Sequence, residues 1–419
     1  MRHFRFILIP AVLFLLPGYG QAGWVQQPSG TTAPLTSVYF INPQTGWIAG
    51  VAGDTNFILR TTDSGSHWER HEVDIAFGSS LHLIRFWDSY LGFAGSRSRL
   101  YRSTDSGIDW QQVPQSFFGI SNLVFVTPSK GWLVCAAPVS GDGGVGSLHQ
   151  TTDSGATWAI RDSSHFMYCD ISFADTLFGM LTADNHAVLN DVSAGFMKRT
   201  TNGGATWDSI NYTFGTAYDH IRFSSPNCAW RTTYSFFPGY PYYRGVQKTT
   251  NRGGSWITIW GGHESGLQPP IAVPDTLNGW VLISDTLFNT RDAGATWFLQ
   301  IPPGSYFHDL FFTDPLNGWL VGSNGLILHT TDGGSGVWEE PAPTRLTPFT
   351  SRFTVLPNPF TSFASVPGHS SDRFALYDVS GRRVGTYRGD RIGEGLIAGV
   401  YFVKPEGQGA KPLRIVKVR

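Results

Sequence analysis

The chain carries seven copies of the pattern Thr/Ser-x-Asp/Asn-x-Gly-x-x-Trp, and a repeat of that kind leaves few folds open. The copies are Thr61-Asp63-Gly65-Trp68, Ser103-Asp105-Gly107-Trp110, Thr151-Asp153-Gly155-Trp158, Thr200-Asn202-Gly204-Trp207, Thr249-Asn251-Gly253-Trp256, Thr290-Asp292-Gly294-Trp297 and Thr330-Asp332-Gly334-Trp338. The last holds one extra residue before its Trp. Successive Asp/Asn positions lie 42, 48, 49, 49, 41 and 40 residues apart. A period of about 40–50 residues made of short strands is that of a propeller blade, whose faces are buried only against neighbouring blades. Upstream of each copy an apolar residue is followed seven positions later by another: Phe40/Trp47, Phe86/Phe93, Phe125/Trp132, Phe173/Met180, Phe223/Trp230, Val273/Trp280 and Phe312/Trp319. Turn formers such as Asn42-Pro43, Asp275-Thr276 and Asp314-Pro315 separate them, so each pair reads as a hairpin. Each unit then has strands A to D, with the acidic turn between C and D. The fold read from this is all-β, a seven-bladed β-propeller followed by a small C-terminal β-sandwich.

The repeated turn needs no catalytic explanation. A short carboxylate or amide at its third position accepts bonds from nearby backbone N–H groups and closes the loop. The Gly suits positive φ, and the Trp anchors the outer strand. Asn202 and Asn251 fit that role, because an amide oxygen accepts the same bond while a catalytic acid tolerates no such exchange. The structural set is therefore Asp63, Asp105, Asp153, Asn202, Asn251, Asp292 and Asp332. This signature resembles the Asp-box, or bacterial neuraminidase repeat, of sialidases, sortilin-type receptors and several glycosidases. Of the 15 tryptophans, only Trp24, Trp87 and Trp260 fall outside the repeat, which leaves little aromatic surplus for a sugar platform.

The ends of the chain read differently from the ring. Arg2 and Arg5, an apolar run from Phe6 to Leu16 and the small-residue stop Gly20-Gln21-Ala22 read as a signal peptide over 1–22, with cleavage after Ala22. No later stretch is long and apolar enough for a transmembrane segment. Residues 23–341 form the ring, 342–352 a Pro-rich linker, and 353–419 a separate unit. Residues 23–350 hold 17 Lys/Arg against 26 Asp/Glu, whereas 351–419 hold 11 against 5. An acidic ring argues against nucleic acid as a general partner. Cys135, Cys169 and Cys228 are too few and odd in number for a disulfide framework, and no Cys/His spacing suggests a metal site, so no cofactor is expected. The tail presents Asn358-Pro359-Phe360, then Tyr377-Asp378-Val379-Ser380-Gly381-Arg382-Arg383-Val384, then Gly399-Val400-Tyr401, then a strand containing Lys417. That order resembles the type A C-terminal sorting domain of the type IX secretion system. The resemblance implies export to the periplasm, recognition by the outer-membrane translocon, and a secreted or cell-surface product. Residues 365–372 depart from the family by lacking a clear alternating strand.

Recognition is expected on the rim opposite the acidic turns, where the B–C loops vary most. Blade 3 carries the Gly-rich insert Gly141 to Gly146, blade 4 the insert Asp184 to Ser193, and blade 5 the aromatic insert Tyr234, Phe236, Phe237, Tyr240, Tyr242, Tyr243 and Arg244. Clustered Tyr with Arg suits a binding hot spot; the alternative is that the insert packs over the blade edge. A second candidate set comes from strand A, which lines the channel: Asp170, His220 and Asp309 three positions before their anchors, and Arg85 and Arg222 one position before. These are either a paired, water-filled channel lining or a polar binding site.

Two functions compete. Over residues 24–340 the ring is similar to the photosystem II stability and assembly factor family, which implies a non-catalytic module binding a protein, or here a protein or glycan. The other reading is a secreted Asp-box glycoside hydrolase using Asp170 and Asp309 as acid and base. A sialidase is disfavoured, since no Arg-Ile-Pro occurs and Glu264 is the only Glu of blades 3 to 6. Finally, Gly23-Trp24-Val25-Gln26-Gln27 resembles an outer strand without its turn and is expected to complete the last blade.

Overall fold

A computed structural model describes residues 23–74, 79–139, 143–185, 194–214, 216–235, 243–262, 270–283, 285–334, 360–366, 370, 372–378, 383–405 and 413–418. The chain divides into two compact units, Met1–Thr344 and Arg345–Arg419. The first contains seven four-stranded antiparallel sheets. In blade 1 the strands run in sequence order, Leu35–Phe40, Gly46–Ala52, Thr55–Thr61 and Glu69–Val73. The innermost strands of the seven sheets are Leu35–Phe40, Leu83–Phe86, Ile120–Phe125, Met167–Phe173, Ala217–Phe223, Ile271–Ala272 and Phe307–Phe312. Each contacts the next in turn, and the last contacts the first, so the sheets close into a ring.

The alternation of side chains along a strand explains why the A and B anchors recur as a pair. Register opposes Tyr39 to Trp47 and Phe40 to Gly46, so Phe40 and Trp47 leave the blade on opposite faces. Trp47 stacks flat on Phe86 of blade 2, 3.5 Å between centroids at 6°, while Phe40 receives Trp319 of blade 7 at 3.5 Å and 13°. Every such stack is a joint between blades. The Gly before Trp is part of the same joint, because a Cβ on Gly46 would lie 2.3 Å from the Phe40 ring. Trp68 then meets Phe40 edge-on at 6.1 Å and 88°, and Trp110, Trp158 and Trp207 repeat that contact on Phe86, Phe125 and Phe173.

The acidic turns are closed locally. In all seven, the Thr or Ser hydroxyl donates to Oδ1 of the Asp or Asn and accepts the N–H of the Gly; in blade 1 these are Thr61 Oγ1 to Asp63 Oδ1, 2.9 Å, and Gly65 N to Thr61 Oγ1, 2.9 Å. In blades 1 to 6 Oδ1 also accepts the N–H four residues on, as from His67 at 2.9 Å. Asn202 and Asn251 make the same bonds and use their Nδ2 to donate to Thr206 and Ser255 hydroxyls. The Gly sits at φ 85° in blade 1 and between 76° and 89° throughout, where a side chain would be strained. A backbone bond ties each acidic turn to the A–B turn of its own blade, from Ser64 N to Gln44 O (2.9 Å) in blade 1 to Gly333 N to Leu316 O (2.8 Å) in blade 7.

The ring is closed by the start of the chain. Val25–Gln27 pairs antiparallel with Ile327–Thr330, with Val25 opposite His329 and Gln27 opposite Ile327. Trp24 meets Phe312 edge-on at 5.9 Å and 87°, the contact made elsewhere by the Trp of the blade's own turn, and its Nε1 donates to Gln300 Oε1 at 3.1 Å. Trp338, expected at that position by pattern, lies outside the described residues.

In the second unit, Arg383–Arg388, Arg373–Tyr377, Gly399–Pro405 and Leu413–Lys417 form one antiparallel sheet in that spatial order. Phe360 bridges Lys417 in parallel and Ala364 bridges Ile392. Phe360 is buried with Phe374, Leu376, Tyr401, Val403 and Ile415, and Lys417 Nζ donates to the carbonyls of Ser362 (2.7 Å) and Gly393 (3.2 Å). Among the described residues no helix is long and apolar enough to cross a membrane.

Candidate functional site

The seven inner strands enclose a channel of about 530 Å³. Four of them carry a one-residue irregularity in register four positions before the A anchor, at residues 36, 121, 169 and 308, and blade 5 carries a wider one over residues 219–220. Such a bulge re-aims the following side chain, here Ser37, Asn122, Asp170 and Asp309. What these side chains reach is a neighbouring blade: Asn122, Asp170 and Asp309 the following one, and Ser37 the preceding one.

Asp170 is 1% exposed and accepts five donors. Oδ1 receives Asn122 Nδ2 from blade 3 and its neighbour Ile171 N at 2.8 Å. Oδ2 receives Ile221 N at 3.0 Å, His220 Nδ1 at 3.2 Å and Arg222 Nη1, all from blade 5. An ionised carboxylate offers about four lone-pair sites, so this one is fully committed. Burial pushes its pKa up, but the Arg222 charge and the His220 hydrogen bond outweigh it and hold the carboxyl well below the usual range. Asp309 repeats the arrangement in blade 7: Oδ1 accepts Leu310 N at 2.9 Å, and Oδ2 accepts Ser37 Oγ and Val38 N of blade 1, both at 3.0 Å. The two aspartates are joints between blades. A pyranoside acid needs a raised pKa and a free proton to give; Asp170 has neither.

Two guanidinium groups and several aromatic rings stand among the groups that line the channel. Arg85 donates from Nε to Asn122 Oδ1 at 3.1 Å and from Nη1 to its own blade's Ile84 O at 2.8 Å. It lies 5.7 Å above the Tyr39 ring, which in turn meets Phe311 at 4.9 Å. Arg222 is bound to Ile221 O as well as to Asp170. Burial and the Arg222 charge lower the pKa of Arg85, and burial raises that of Tyr39. Arg85, Asn122, Asp170, His220 and Arg222 thus form one continuous chain of bonds along the channel wall.

Two lining residues escaped sequence reading. His82 Nε2 lies 2.7 Å from Ile120 O, and His308 Nδ1 lies 2.7 Å from Leu35 O, each reaching the first strand of the next blade. Thr36 Oγ1 donates to Leu81 O at 2.7 Å, just before the first strand of the next blade. All three stand four positions before an anchor, one residue beyond the columns that sequence reasoning compared.

The blade 5 insert divides. Tyr234 and Arg244 end the strands Ala229–Ser235 and Tyr243–Thr249, face each other in register, and are each 6% exposed. Tyr234 donates to Asp184 Oδ2 at 2.7 Å and Arg244 approaches Asp219 Oδ2 at 3.6 Å. The expectation of a surface hot spot is corrected for these two, because continued strand pairing turns them into the blade. Tyr243 is 38% exposed. Phe236, Phe237, Tyr240 and Tyr242 lie outside the described residues. In blade 3 the Gly-rich insert likewise continues a strand, Gly143–Thr151 paired with Gly131–Val139.

Seven sheets, a closed ring and a polar channel define the protein as a β-propeller. Among solved structures it is similar to YCF48 bound to a D1 peptide, at 18% identity and TM-score 0.53 over 75% of this chain and 97% of that one. YCF48 from Cyanidioschyzon merolae gives 19% and 0.53 over 74% and 98%. An oligogalacturonate lyase from Vibrio parahaemolyticus gives 9% and 0.52 over 75% and 94%. At such identities the likeness shows the fold. No protein-family profile and no curated protein sequence matches the chain.

Proposed function

We propose that this chain is a non-catalytic binding module that holds a segment of a partner protein at the channel mouth. The observation that carries this reading is the commitment of Asp170 and Asp309 to hydrogen-bond partners in neighbouring blades, which ties up the two candidate carboxylates and leaves fixed guanidinium, imidazole and aromatic groups along the channel. Rigid, preformed polar groups in a concave site suit recognition. The peptide-bound YCF48 structure supports the same direction for the fold, and the glycosidase reading loses its two candidate carboxylates.

The leader over 1–22 and the ordered tail motifs further support export, with the 353–419 unit as the address read by a type IX-like translocon and a surface or secreted destination. The test is a peptide array probed with residues 23–419, run beside a panel of chromogenic glycosides. Peptide binding without glycoside turnover is expected; turnover abolished by Asp170→Asn or Asp309→Asn overturns the reading. Deleting 353–419 is expected to leave the ring trapped in the periplasm.

A further inference from the structure

Outside the channel, a groove of about 410 Å³ runs between the outer parts of blades 3 and 4. Its floor is Phe166, in the connection between the strands Ala159–Ser164 and Met167–Phe173. Phe196 meets Phe166 at 4.7 Å and 78°, and Tyr212 meets it at 6.4 Å and 90°. Tyr212 stands on the outermost strand of blade 4, Asp208–Phe214, and is 64% exposed. Lys198 lines the same groove and is paired with Asp162, their side chains only 13% and 25% exposed. Tyr168 donates to Asp162 Oδ2 at 2.6 Å. Ser164 and Ser209 complete the polar wall.

We propose that this groove is a subsite for a neutral saccharide. The lining narrows the ligand by elimination. Its one ammonium is neutralised by one carboxylate, so a charged ligand gains no net attraction. An apolar side chain seated on the rings strips the remaining water from the Lys198–Asp162 pair and supplies nothing in return, which is costly. A pyranose satisfies both halves. Its axial C–H groups, polarised by neighbouring oxygens, lie against the electron-rich face of Tyr212 or Phe166. Its hydroxyls accept from Lys198 Nζ and donate to the Asp162 carboxylate, and the two serines add adaptable donors and acceptors. Exposure of Tyr212 fits as well: its ring contributes one edge contact to the fold and otherwise presents itself to solvent.

The experiment is affinity electrophoresis of residues 23–419 through gels holding laminarin, xylan, galactomannan or a soluble cellulose derivative, with alginate and dextran sulfate as charged comparisons. Retardation by at least one neutral polymer and none by the charged ones is expected. Tyr212→Ala and Lys198→Met should each weaken that retardation at least tenfold, while peptide binding at the channel stays unchanged. Ser209→Arg, at an exposed position, blocks the groove and serves if Lys198→Met melts early. The proposal falls if no neutral polymer retards the protein, if charged polymers do so preferentially, or if Tyr212→Ala, melting as the parent does, retains full retardation.

Discussion

Removing one indole at the chain's start should open the ring. Trp24 is partly buried against the blade 7 core, meets Phe312 edge-on at 5.9 Å, and donates to the side chain of Gln300. Truncating a buried aromatic to Ala costs about 3–5 kcal/mol; a partly buried one belongs nearer 2 kcal/mol. Gln300 is 3% exposed, so Oε1 loses its donor with little access to water, adding about 1 kcal/mol. The total is about 3 kcal/mol, and for a domain of this size roughly 2 °C of melting temperature per kcal/mol gives a fall of about 6 °C. Calorimetry of residues 23–419 measures it directly. Trp24→Phe should recover the packing but not the hydrogen bond, and melt between the two. The reasoning is refuted if Trp24→Ala melts within a degree of the parent while Trp338→Ala carries the loss, since closure would then lie at the other end.

Asp170→Asn should destabilise by about 2–3 kcal/mol, below the usual cost of breaking a buried pair because Arg222 keeps some water. The Asp170 pKa is held down by folding, so its contribution is complete above about pH 4 and lost as pH falls; the variant should show a flatter acid limb in melting temperature against pH. An unchanged limb contradicts the joint. Burial holds His149 and His329 down to about 4 from 6.5. Between those values the unfolded chain binds more protons, so stability should fall as pH drops from 6.5 towards 4, by a slope that His149→Gln and His329→Gln each reduce; a flat profile between pH 7 and 5 refutes this. Arg231 is 4% exposed between Tyr218 (3.9 Å) and Trp256 (4.2 Å), with Gln247 as its oxygen partner and no carboxylate in contact among the described residues. Arg231→Met should therefore be neutral or stabilising by about 1–3 kcal/mol in chemical denaturation; a loss above that size shows that the cation–π sandwich outweighs desolvation.

The ring was legible because its turn chemistry repeats seven times, and each copy must supply a hydroxyl, an Asx oxygen and a Gly at fixed spacing to close the same hydrogen bonds. Closure by Val25–Gln27 was legible from the likeness of that segment to an outer strand. That Trp24 replaces an anchor on Phe312 was not, because the contact joins residues from opposite ends of the chain. Asp170 and Asp309 could be placed on strand A from their distance to the anchor. Their partners could not, because the bulge that turns them towards the next blade leaves no compositional mark. Tyr234 and Arg244 read as surface residues because they bound a variable B–C insert rich in Tyr; the strand pairing continues to them before the insert begins.

The most direct test is a binding isotherm for an array-selected peptide against three proteins: the parent 23–419, Arg85→Ala/Arg222→Ala, and Asp153→Asn. The first substitution strips the channel wall; the second swaps a turn carboxylate for the amide that blades 4 and 5 already use. A loss of at least tenfold in the channel variant with unchanged affinity in the turn variant is predicted. Full affinity in the channel variant, or its loss on exchanging the turn residue, contradicts the account.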